Sequence, residues 1–173
     1  MGTMPKILLT GRPGVGKTTV VKNVIKELKE KAGGFYTEEI RKKGKREGFL
    51  VRTLEGEHGV LAHVNHRGVH RVGRYGVDVD RFETIVTPCL QDALEKNMVI
   101  VIDEIGKMEL FSREFRHLVS CVFESDHMVL AVIHQKKDPF TQRIRSWPMV
   151  EELTVTEKNR DVLPSIILEK LKI

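Results

Sequence analysis

The stretch KILLTGRPGVGKTTVVKNVIKEL, Lys6 to Leu28, decides the fold. Lys6–Thr10 is a short apolar run that reads as a buried strand. From Thr18 to Lys31, Val20, Val21, Val24, Ile25 and Leu28 recur at helical spacing, with lysines and glutamates on the other face. Gly33-Gly34 is expected to close that helix with a left-handed residue. Between strand and helix lies a glycine-rich turn. Strand, glycine loop and helix open an α/β domain.

The turn, Gly11-Arg-Pro-Gly-Val-Gly-Lys-Thr18, fits G-x-x-x-x-G-K-[ST] without a gap, the Walker A phosphate loop. Glycines let the backbone N–H groups approach an anion closely. The helix that follows directs its free N–H groups and positive end at the same point. Gly11, Arg12, Pro13, Gly14, Val15, Gly16, Lys17, Thr18 and Thr19 are therefore the candidate phosphate cradle. Lys17 would reach the β- and γ-phosphates, and the Thr18 hydroxyl would meet a bridging Mg²⁺ ion.

VIVIDEIGKMEL, Val99 to Leu110, is a second buried strand, and it ends in two carboxylates. A buried acid pair is costly unless a cation waits for it. With a phosphate loop in the chain, Asp103 becomes the Walker B acid, expected beside that loop and facing the Mg²⁺ held by Thr18. Glu104, on the other side of the strand, would orient and polarise the attacking water. Asp103-Glu-Ile-Gly106 also fits the DxxG of small GTPases. Those proteins choose guanine through an NKxD loop, which EKNRD (157–161) does not match, so strict guanine selection is not expected.

The remaining chain is read as one domain, 1–173, with an antiparallel β-rich insertion at about 35–72. A helix is expected over 79–96, where Pro88 implies a kink or a late start. Ser112 should cap a helix running to Phe123. Strands are expected at 127–134 and 149–155, and a last helix at about 161–171. Alternating strands and helices point to a mostly parallel sheet with helices on both faces. No apolar run approaches the roughly 20 residues of a membrane span, and MGTMPK has no signal-peptide h-region. Whether Met4 is the native start, with Met1–Thr3 appended, is left open. Cys89 and Cys121 lack metal-ligand spacing and read as reduced thiols of a cytoplasmic protein. The net charge of +5 suits a polyanionic ligand without choosing one.

With these residues in place, the chain resembles the nucleoside-triphosphatase family that includes human cancer-related nucleoside-triphosphatase and thermophilic prokaryotic relatives. The resemblance rests on GRPGVGKTT (11–19), GFYTEEIR (34–41), VGRYGVDV (72–79), VIDEIGKMELFS (101–112) and NRD (159–161). It implies a three-layer RecA-like P-loop fold and Mg²⁺-dependent hydrolysis of NTP to NDP and phosphate, with broad base selectivity. The expected substrate is a nucleoside triphosphate, handled by a monomer. Two rivals share the cradle: a nucleoside or small-molecule kinase, and a nucleotide-switched module that binds RNA or a protein partner.

Other features stand beside plainer alternatives. Arg143 and Arg145, on a segment that could close as a lid, are candidates for the cation on the γ-phosphate. Arg160 and Asn159 are candidates for contacts to phosphate, base or ribose, and Trp147 for stacking on the base. Thr37, Glu38, Glu39 and Arg41 could border the metal or a solvated edge. Glu109 reads as structural, and Lys107 is open. RKKGKR (41–46) could meet nucleic acid, but without interleaved aromatics it reads better as the charged tip of a hairpin. His63, His66 and His70 read as scattered surface histidines rather than a metal site.

Overall fold

The computed structural model describes residues 4–96 and 98–172. Met1–Thr3, whose origin the sequence left open, lie outside them. Among the described residues, nine strands form one sheet: β1 (Lys6–Thr10), β2 (Ala32–Lys42), β3 (Lys45–Thr53), β4 (His58–His63), β5 (Arg71–Val72), β6 (Tyr75–Val77), β7 (Val99–Ile105), β8 (Val129–Ile133) and β9 (Val150–Thr154), in the order β5-β6-β4-β3-β2-β7-β8-β1-β9. The run β2-β7-β8-β1-β9 is parallel. From β2 outward to β5 every pairing is antiparallel. The insertion therefore extends the same sheet and reaches Val77.

Alternation along the central strands sorts two cores onto opposite faces. Ile7, Leu9, Val99, Val101, Leu130 and Val132 pack under α1 (Lys17–Leu28) and α5 (Leu163–Lys170). Leu8, Ile100, Ile102, Ala131 and Ile133 pack under α2 (Val79–Glu95) and α3 (Arg113–Glu124), with Ile144 of α4 (Pro139–Arg145). The result is a three-layer α/β fold. Asp78 caps α2 by accepting from the Arg81 N–H at 3.0 Å, so Pro88 lies inside the helix and the late start is excluded. Ser112 caps α3 as expected, accepting from the Phe115 N–H at 3.0 Å.

Two expectations change. Gly33-Gly34 does not end α1; the helix stops at Leu28, Lys29 takes the positive φ of 52°, and both glycines begin β2. A Cβ on Gly34 would lie 1.9 Å from the Val101 carbonyl oxygen, so the glycine serves the close approach of β2 to β7. Next, 139–145 is a helix whose Thr141 and Ile144 are fully buried, so this segment is anchored rather than a lid.

Candidate active site

The phosphate loop follows β1 and opens into α1, whose first turn no side chain caps. Its N–H groups are left for an anion, as the sequence implied. Val15 is buried in the α1 core, which anchors the loop, while Arg12, Pro13, Gly14 and Thr19 are exposed. Lys17 Nζ donates to the carbonyls of Gly11 at 2.6 Å and Arg12 at 3.2 Å, folding its ammonium over the loop.

The intervening β8 does not separate loop from acids, because α1 spans the face onto which Val101 and Asp103 project. Thr18 Oγ1 donates to Asp103 Oδ2 at 2.8 Å, across 85 residues of sequence. At Asp103 the pairing of β7 with β8 shifts register, and this irregularity carries Glu104 round the strand end. Glu104 folds over Gly106: a Cβ there would stand 2.6 Å from Glu104 Oε1. The glycine makes room for the carboxylate.

Both acids line a cleft of about 460 Å³ with Pro13, Gly14, Lys17 and Thr18 on one wall. The other wall belongs to the β extension: Thr37, Glu38 and Glu39 from β2, Arg46 and Phe49 from β3, and Val72, Gly73 and Tyr75 beyond. Met108 borders it too. Burial pushes Asp103 up to about 7; the Thr18 hydroxyl pulls it back and the Glu104 charge pushes it further. Burial likewise raises Glu104, against the pull of Lys17 and His134. Glu109 is buried and its carboxyl stands well above the usual range, first through burial and then through the charge of Glu104. It lines a recess of about 190 Å³ beside the cleft, together with Glu104, Lys107 and Thr37.

This site fits Mg²⁺. A hydroxyl and a buried carboxylate are hard oxygen donors, and Mg²⁺ takes one or two of these and fills its shell with phosphate and water. Among the described residues, no group of three or more His, Cys, Asp or Glu side chains is placed to hold a metal unaided. His63 and His66 lie near Glu47 and Asp78, and His70 stacks on Phe111.

Several candidates fall outside the cleft. Arg143 lies over the Phe140 ring and donates to Ser120 Oγ at 3.3 Å. Arg145 is held by Glu152 at 3.0 Å and by the His134 carbonyl at 2.8 Å. Both belong to α4 and neither lines the phosphate cleft. Trp147 packs against the core under α2 and α3 and does not line the phosphate cleft. Asn159 shapes the turn after β9, accepting from Thr156 N and donating to the Thr154 carbonyl. Arg160 does reach the loop: its Nη1 donates to the Val15 carbonyl at 3.1 Å and its Cδ lies against Gly16. Arg41 does not line the cleft; it pairs with Glu39 and the Gly44 carbonyl.

Sequence reasoning missed Arg46, Phe49 and Tyr75. Arg46 was masked as one charge in RKKGKR. The pairing of β2 with β3 slips between Ile40 and Arg41, setting Arg41 opposite Arg46 but Glu39 opposite Phe49. That slip brings Arg46 onto the face of Glu39 and Phe49, and no periodicity announces it. His134, held by Asp138 at 3.0 Å close to Glu104, was also missed.

A profile of the NTPase family matches residues 6–168. Nucleoside-triphosphatase THEP1 of Thermotoga petrophila is 49% identical over 167 residues, covering 96% of this chain and 93% of that protein. The Methanosarcina acetivorans THEP1 is 46% identical over 173 residues, covering 96% and 97%. The crystal structure of THEP1 from the hyperthermophile Aquifex aeolicus superposes with a TM-score of 0.91 at 39% identity, over 97% of this chain and 99% of that one. The solution structure of a human cancer-related nucleoside triphosphatase gives 0.82 at 38%, over 95% and 96%. The family profile and these identities over nearly the whole chain agree with the site and the fold described above: the chain belongs to the nucleoside-triphosphatase family of P-loop hydrolases.

Proposed function

We propose that this nucleoside-triphosphatase cleaves the β–γ bond of nucleoside triphosphates by in-line attack of water, dependent on Mg²⁺ and tolerant of the base. The observation that carries the reading is the 2.8 Å contact of Thr18 with Asp103 in a cleft shared with Lys17 and Glu104. The loop N–H groups and Lys17 hold the β- and γ-phosphates. Thr18 and Asp103 would hold the metal, which supplies charge neutralisation between those phosphates when bound. Glu104 orients the water and accepts one proton as the water oxygen bonds to Pγ. The bond from Pγ to the β–γ bridging oxygen breaks, releasing NDP and phosphate.

Tolerance of the base is supported by the sequence, which has no NKxD loop to select guanine; Asn159 braces the turn after β9. One chain supplies every group named, which suits a monomer. Cys89 and Cys121 are both free thiols, and burial pushes Cys89 up to about 12, which suits a reducing cytoplasm. Among the described residues no helix is long and apolar enough to cross a membrane.

The test is phosphate release across all ribo- and deoxynucleoside triphosphates, with and without Mg²⁺, for the wild type, Glu104→Gln and Lys17→Ala. Wild-type release should need Mg²⁺ and vary little with the base. Glu104→Gln should bind nucleotide and turn over about 10² to 10⁴ times more slowly. Lys17→Ala should lose binding and turnover together. Normal hydrolysis by Lys17→Ala would place the reaction elsewhere, and NDP formed without free phosphate, and only once an alcohol is added, would make the protein a kinase.

A further inference from the structure

The arginine that hydrolysis needs is not on α4, and the cleft itself offers another. Among the described residues, Lys17 and Arg46 are the two cationic side chains lining it, against Glu38, Glu39, Asp103 and Glu104. Lys17 rises from the loop side. Arg46 comes from the opposite wall, the one built by the β extension. A transferring phosphoryl group arrives in this acidic surrounding with charge spread over its outer oxygens, and the loop meets only one side of it.

Arg46 is built into this position. Its Cζ lies 5.1 Å from the centre of the Phe49 ring and 5.6 Å from that of Tyr75, so aromatic faces support the guanidinium plane. Nε donates to Tyr75 Oη at 2.9 Å and Nη1 to Glu39 Oε1 at 3.3 Å. A guanidinium carries five N–H donors, so most of the fork is left for another acceptor. Arg74 donates to the Arg46 carbonyl and to Tyr75 Oη at 3.2 Å, tying the backbone of β3 to the β5–β6 turn. Side-chain relative exposure is 40%, so the group is open to a ligand rather than sealed in.

We propose that Arg46 is the arginine that meets the outer oxygens of the terminal phosphate in the transition state, supplied from within the same chain by the β extension. Glu39, Tyr75 and Phe49 are positioning residues that hold the guanidinium plane toward Lys17. The antiparallel half of the sheet is then part of the catalytic apparatus. The proposal rests on the reading of the cleft given above.

The experiment compares Arg46→Ala, Arg46→Met and Lys17→Ala in the full chain. Arg46→Met keeps an apolar stem on Phe49, so it is the variant to trust if Arg46→Ala unfolds. Both Arg46 variants should bind MgADP as the wild type does, lose about 10³-fold in turnover, and fail to form the complex of MgADP with aluminium fluoride. Millimolar guanidinium should restore part of the turnover of Arg46→Ala, which a purely structural role would not permit. Lys42→Ala, an exposed position in the same charge run that does not line the cleft, should behave as the wild type. If Lys17→Ala is inactive while Arg46→Met turns over and traps aluminium fluoride normally, the assignment of Arg46 falls and the cleft stands. If Lys17→Ala is active, the cleft reading itself falls.

Discussion

Glu104 and Gly106 show how one residue's chemistry depends on its neighbour's lack of a side chain. A Cβ on Gly106 would press on three atoms of the Glu104 side chain, at 2.6, 2.9 and 3.0 Å. Those atoms are the flexible end of a carboxylate, so Gly106→Ala should fold and displace the acid rather than break the strand. We expect kcat to fall about tenfold or more, since a misplaced general base forfeits part of its usual 10²- to 10⁴-fold contribution. Affinity for MgADP should stay at the wild-type value. A titration of MgADP binding beside a turnover assay separates the two; equal losses in both would mean the loop had moved instead. The DxxG pattern is thus met here by a glycine that seats a carboxylate.

At the scale of elements, the turn between β7 and α3 buries Glu109 under the active site. Its carboxyl is raised by burial and by the nearby Glu104 charge, so the folded protein holds a proton there that the unfolded chain releases at the ordinary carboxylate value. Between those two values the folded state binds more protons, and stability falls as pH rises. Glu109→Gln removes that slope. Its melting temperature should gain on the wild type from pH 5 to pH 8, followed by thermal unfolding at several pH values; a constant gap would show that Glu109 is ionised in the fold.

How much of this was legible follows from the same distinction between local and long-range causes. β1, the phosphate loop, α1, β7 and the Ser112 cap are written in contiguous patterns, and all were read. The roles of Lys17, Thr18 and Asp103 follow from chemistry that needs those groups at one spacing. Arg46, Tyr75 and His134 reach the site through sheet order and a slipped register, which are products of long-range pairing. Arg143 and Arg145 misled because a basic run near the end of a chain looks alike whether it faces phosphate or Glu152. Gly33-Gly34 misled because a glycine pair suits a helix end as well as a tight strand contact, and only the nearness of Val101 decides.

For the whole molecule, β2 matters most. Its residues 32–35 pair in parallel with β7, and its residues 35–42 pair antiparallel with β3. The acid-bearing strand and the β-extension wall of the cleft are thereby joined by a single uninterrupted ribbon, with Phe35 belonging to both ladders. Spin labels at positions 26 on α1 and 45 on β3 should report one distance distribution, unchanged by MgADP or by a non-cleavable triphosphate. A second population on adding nucleotide would reveal a hinge. Without one, the protein does not clap shut on its substrate like a two-lobed kinase. Any partner that senses which nucleotide is held must read it from loop and side-chain positions at the rim, because the frame carries no message.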